Sequence, residues 1–197
     1  MEATKKLNVR KLSVIGMLSG ISLFMGLTGI GFIPLPFMKA TIMHIPVVIG
    51  AIIEGPFVGA IVGLVFGLFS IYQNITAPSI LSPIFMNPIV AIIPRVLIGI
   101  FSYYSYNFIQ RRFNKPKIAY GVAAAIGTLT NTIGVLGLTY IFFLNQYAAL
   151  KSVGTDAVPA MLATIVVTNG IPETIVSVLI VIPVVTGLFK IYKKKFN

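Results

Sequence analysis

From Leu12 to Phe37 the chain carries no charged side chain, and a second such run extends from Ile118 to Leu150. A helix of about 20 mostly apolar residues crosses the hydrocarbon core of a bilayer. There, every backbone N–H and C=O must be satisfied within the protein, which a helix achieves by itself. Over the whole chain 57% of residues are hydrophobic and only 10% are charged, against about 25% charged in a soluble domain. So few charges cannot cover a water-facing surface, and the apolar surface must face lipid. The expected fold class is therefore all-α: one integral membrane bundle of six transmembrane helices, residues 1–197, with both termini cytoplasmic. Six spans leave no room for a separate soluble domain. The first apolar run is too long for the apolar part of a secretory signal and has no small-residue cleavage site, so it is read as retained.

A net charge of +11 suggests nucleic acid at first sight. The positions argue otherwise. Lys5, Lys6, Arg10 and Lys11 precede the first apolar run, Arg111, Arg112, Lys115 and Lys117 form an internal cluster, and Lys190, Lys193, Lys194 and Lys195 lie near the C-terminus. Only Lys39, Arg95 and Lys151 stand apart. Basic blocks beside hydrophobic stretches set membrane orientation, and six spans put all three blocks on one side. The spans expected are Lys11–Ile33, His44–Ile53, Phe57–Tyr72, Ile84–Phe108, Ile118–Leu144 and Val158–Phe189. Pro34–Met43, Gln73–Pro83 and Asn145–Ala157 are expected as external loops, and Glu54-Gly55-Pro56 as a tight cytoplasmic turn. The second span is short, and a tilted, partly inserted hairpin with the third stays open.

Two ionisable residues fall deep within apolar stretches, Arg95 and Glu173. A charge at the bilayer centre costs several kcal/mol, so such groups face the interior and find partners. Two readings stand side by side: an Arg95–Glu173 ion pair, or Arg95 aimed at an anionic ligand whose carboxylate matches its planar fork. Asn87, Thr128, Thr130, Asn131, Thr132, Thr168 and Asn169 add polar groups on three consecutive spans. Singly they read as interhelical hydrogen bonds; together they suggest a polar cavity with apolar walls. Gly55, Gly59, Gly63 and Gly67 form a small-residue stripe expected to pack inside the bundle. The stripe Leu12–Gly16–Gly20 can pack inside or dock a second membrane protein. The lone His44 reads as a capping or packing residue.

The chain has no cysteine, one histidine and four acidic residues, which leaves thiolate metal sites, His-x-x-x-His sites and Cys nucleophiles without their residues. No Gly-Lys dipeptide occurs, so no P-loop is present. Neither a cofactor nor a metal is expected, and catalysis is disfavoured.

Several stretches resemble the substrate-binding S components of energy-coupling-factor (ECF) vitamin transporters. They are Ile42-Met43-His44-Ile45-Pro46 with Gly50-Ala51-Ile52-Ile53-Glu54-Gly55-Pro56 and Gly59, then Pro94-Arg95-Val96-Leu97-Ile98-Gly99, then Gly127-Thr128-Leu129-Thr130-Asn131-Thr132, then Asn169-Gly170-Ile171-Pro172-Glu173. The resemblance implies a subunit that captures a vitamin outside and docks on a membrane-embedded T component driven by two cytoplasmic ATPases. It implies docking through small residues of the first span, here Ser13, Gly16 and Gly20, where family members usually carry Ala-x-x-x-Ala. It also implies that the first external loop, with Lys39 and Thr41, gates the site. Within the family the chain is most similar to pantothenate-specific members. Arg95 would then hold the carboxylate of pantothenate, with Asn131, Thr128 and Asn87 on its hydroxyls and amide. A hydroxymethylpyrimidine-type thiamin precursor and folate are the alternative ligands. An intramembrane enzyme and a self-sufficient secondary transporter are the alternative classes.

Overall fold

The computed structural model describes residues 9–35 and 38–195, with side chains at 9–32 and 41–191. Five helical stretches among them are long and apolar enough to cross a bilayer: Val9–Thr28, Pro56–Thr76, Pro88–Phe113, Pro116–Lys151 and Thr155–Ile191. A sixth apolar helix, Ile45–Glu54, has 10 residues. At 1.5 Å per residue it is about 15 Å long, half the hydrocarbon thickness. The short second span is thus a buried half-length helix and cannot cross a bilayer alone.

In chain order, α1 (Val9–Thr28) leads into a hairpin of β1 (Phe32–Leu35) and β2 (Met38–Thr41), and α2 (Ile45–Glu54) runs back. The strands are antiparallel with Phe32 opposite Thr41. The plain loop expected over Pro34–Met43 is occupied in part by these two four-residue strands, and the fold is otherwise helical. Gly55 then takes φ +99°, a conformation open to glycine but costly for other residues, and Pro56 starts α3 (Pro56–Thr76). The short α4 (Ser82–Phe85) precedes α5 (Pro88–Phe113) and α6 (Pro116–Lys151), which breaks at Phe143. The last span is compound: a 3-10 turn at Thr155–Ala157, α7 (Val158–Ile165), a π-helical segment at Val166–Gly170, and α8 (Ile171–Lys195). Two expected loops are therefore shorter than the sequence suggested. α3 keeps Gln73 and Asn74 in its last turn, and α6 continues through Asn145 to Lys151.

Two sets of contacts tie helix ends together. Arg10 Nε meets Glu54 Oε1 at 2.7 Å, joining the start of α1 to the end of α2. Tyr120 stacks on both Tyr106 and Phe189, at 5.8 Å between ring centroids in each pair. Those rings hold together the end of α5, the start of α6 and the end of α8. α2 lies at the heart of this half, with Ile45 through Ile52 all buried. Its residues join Ile15, Leu18, Val58, Val62, Ile98, Ala123 and Val181 in the main apolar core. A second cluster of Ile84, Val90, Tyr147, Ala148, Val158 and Leu162 fills the opposite end. Between them, where α2 has stopped, the bundle has a polar middle. Many large apolar side chains point outward, among them Met17, Phe24, Leu68, Phe108, Ile141 and Leu179. In a soluble protein an apolar surface of this extent would be an association site; on helices of this length it is the lipid-facing surface.

Candidate functional site

The site sits beside a close backbone contact between α3 and α5. A Cβ at Gly59 would lie 2.9 Å from the Gly99 Cα, one at Gly67 would lie 2.9 Å from the Ala91 carbonyl oxygen, and one at Gly63 would run into the Arg95 carbonyl oxygen. The glycine stripe of α3 therefore packs inside the bundle, backbone to backbone against α5, as small residues do in lipid. This contact fixes the height and rotation of Arg95 against α3. On the next turns of α3, Phe66, Ser70, Gln73, Asn74 and Ala77 share one face, and that face lines a cavity of about 420 Å³ together with Phe32, Thr41, Met43, Ser79 and Arg95. Its size is that of a small-molecule site. A second cavity of about 210 Å³ adjoins it, lined by Arg95, Thr41, Asn131, Thr132, Asn169 and Glu173 with Phe85, Val135, Leu136 and Ile165. Arg95 and Thr41 belong to both, so the two spaces are lobes of one site.

Arg95 is held by its own helix. Pro94 has no amide hydrogen, so the Val90 carbonyl lacks its normal α-helical partner. Arg95 Nη1 takes that carbonyl at 2.9 Å. The guanidinium carbon lies 5.5 Å from the centre of the Phe66 ring, a cation–π contact worth up to about 2 kcal/mol when desolvated. Arg95 Nε is buried with no hydrogen-bond partner. Of the two readings of Arg95, the ion pair with Glu173 does not form: among the described residues Arg95 makes no ion pair. Glu173 Oε1 instead accepts the backbone N–H of Thr41 at 2.8 Å.

Asn131 faces the smaller lobe, and its buried Oδ1 has no hydrogen-bond partner. An orphaned donor on Arg95 and an orphaned acceptor on Asn131 would each cost about 1–3 kcal/mol if left unsatisfied. Polar groups in that condition mark a place where a ligand or water completes the bonding. Asn169 reaches the same lobe from the π-helical segment, and π segments often sit at functional positions. The segment ends two residues before Pro172, which withholds the amide hydrogen that would bond the Thr168 carbonyl.

The other sequence candidates fall elsewhere. Thr128 lies beneath the lobes, fully buried, and donates to the Ala124 carbonyl at 2.9 Å. His44 Nε2 sits 2.9 Å from the Thr128 hydroxyl. His44 is thus a buried packing residue, and its side chain makes no cap bond to α2. Asn87 accepts the Ile89 amide at 3.0 Å as the cap of α5 and lines neither lobe. Thr41 lines both. The side chain of Lys39 lies outside the described residues. Thr168 is exposed and bonds back to the Thr164 carbonyl at 2.7 Å. Sequence reasoning missed Phe66, Ser70, Gln73 and Asn74, because Gln73 onward read as loop. Their spacing along one helical face was the available signal.

A helical membrane bundle with a polar cavity lined by Arg95, Thr41 and Asn131 has room for a small molecule. A family model for the substrate-specific component of ECF transporters matches residues 10–185, and the chain belongs to that family. It is also similar to the pantothenic acid transporter PanT of Lactococcus lactis subsp. cremoris (strain MG1363). The two are 32% identical over 167 residues, 80% of this chain and 81% of the relative. The family and the relative are transport proteins, and the chain is a transporter component rather than an enzyme.

Proposed function

We propose that this chain is the pantothenate-binding subunit of an ECF-type transporter in the cell membrane. It captures the vitamin outside and delivers it inward with a T component and two cytoplasmic ATPases. The observation that carries this reading is Arg95, a cation without an ion-pair partner among the described residues, facing a cavity rich in amides and hydroxyls. Pantothenate has one carboxylate, two hydroxyls and an amide. Its carboxylate pairs with the Arg95 guanidinium. Asn131 and Asn169 on one side, and Gln73 and Asn74 on the other, bind its remaining polar groups. Thr41 closes the site between the lobes.

The whole chain acts as one six-pass domain with both termini cytoplasmic. The basic end faces the cytoplasm, and α2 completes its crossing with the hairpin above it. The face of α1 bearing Ser13, Gly16 and Gly20 docks the T component. All three residues are exposed, and a Cβ on either glycine would meet nothing within 4 Å. Among the described residues nothing packs against the two glycines, which favours docking over internal packing.

The test is uptake of labelled pantothenate by cells lacking their own carrier. Uptake is expected only when the T component and both ATPases are expressed with this chain. Uptake driven by the chain alone would contradict the proposal in favour of a secondary carrier.

A further inference from the structure

Glu173 is a buried acid on α8 that reaches across 132 residues of sequence to the backbone of the hairpin, and the site described above gives it no task. The Ile42 amide bonds to the Gly31 carbonyl at 2.9 Å. Successive amides of a strand point to opposite sides, so the Thr41 N–H faces away from β1. Its partner is Glu173 Oε1 at 2.8 Å. Among the described residues Thr41 alone of the hairpin lines both lobes, and Glu173 lines the smaller one beside Arg95 without pairing with it.

We propose that Glu173 is a positioning residue: by accepting the Thr41 amide it pins to α8 the backbone segment shared by both lobes, while Arg95 keeps its fork for the ligand. The inference rests on the reading of the cavity as the ligand site. What it requires of residue 173 is an acceptor oxygen at that place. Glutamine supplies one and alanine does not.

The experiment compares the wild-type protein with Glu173→Gln and Glu173→Ala, purified in detergent. Residue-resolved hydrogen exchange is read first, without ligand. The Thr41 amide should exchange about tenfold faster in Glu173→Ala and near the wild-type rate in Glu173→Gln, consistent with loss of one hydrogen bond. Ile42, held by Gly31, should keep its protection in both variants, which shows that the hairpin is intact. Calorimetry with pantothenate should then give about tenfold weaker binding in Glu173→Ala and a change within about threefold in Glu173→Gln. Unchanged Thr41 protection in Glu173→Ala would overturn the proposal. So would equal loss of affinity in both variants, because the ionised carboxyl group, rather than the acceptor oxygen, would then be what matters. Should the wild-type protein bind no pantothenate, the ligand reading falls. The exchange measurement alone still decides whether Glu173 holds Thr41.

Discussion

Arg95 owes its pose to the residue before it. Pro94 frees the Val90 carbonyl, and the Arg95 side chain folds back to use it. One guanidinium nitrogen is thereby committed to the helix, and the ring of Phe66 covers the fork. Replacing Arg95 with alanine should weaken pantothenate binding by about 2–5 kcal/mol, the usual loss when one partner of a buried charge pair is removed. Titration calorimetry checks this, and unchanged affinity would remove Arg95 from the site. Asn131→Ala should cost about 1–2 kcal/mol in the same assay, because its amide oxygen has no partner within the protein to fall back on. Thr128→Ala should leave affinity nearly unchanged and lower thermal stability, since its hydroxyl is taken up by Ala124 and His44. Arg95 and Asn131 were legible in the sequence because polar groups inside apolar spans are costly and so must be used. Thr128 was not separable from Asn131. They differ by less than one helical turn, and only the buried start of α2, with His44 against Thr128, shows which of them is sealed off.

At the scale of the elements, the α3–α5 contact sets the site. Gly63 has the Arg95 carbonyl where its Cβ would be, so Gly63→Ala must push the two helices apart. Overpacking of this kind typically costs about 1–3 kcal/mol, and the strain falls on Arg95, the residue proposed to hold the ligand. A thermal unfolding curve in detergent should show the loss, and ligand affinity should fall with it. Gly16 and Gly20 on α1 offer the contrast, with open space beyond each. Gly16→Leu should unfold at the wild-type temperature and bind pantothenate normally, yet fail in uptake with the T component and ATPases. Normal uptake by both Gly16→Leu and Gly20→Leu would exclude this face from docking. The four-residue spacing of the glycines announced both stripes in the sequence. It could not say that one meets backbone and the other meets nothing, because that depends on which helix lies opposite.

For the whole molecule, the scarcity of charge was sufficient to place the chain in a bilayer. The arrangement of the middle was harder to read. α2 is apolar throughout, as a span would be, but it is too short to cross. The residues just before it, Thr41 and Met43, line the candidate cavity. Gln73 and Asn74 looked like loop because polar residues near Pro78 and Pro83 suggest a helix end, whereas α3 runs on to Thr76 and turns them inward. The hairpin was hidden too, since two four-residue strands containing a proline carry little alternation. A polar cavity inside an apolar bundle reverses the rule by which hydrophobic patterns are read, and there the sequence reading fell short.

The central claim is that this cavity holds pantothenate. The direct measurement is calorimetric titration of the purified chain in detergent with pantothenate, a hydroxymethylpyrimidine and folate. Tight one-to-one binding of pantothenate alone is the expected result. Tight binding of one of the other two would keep the transporter class and contradict the substrate, and a folded protein that binds none of the three would contradict the account of the site.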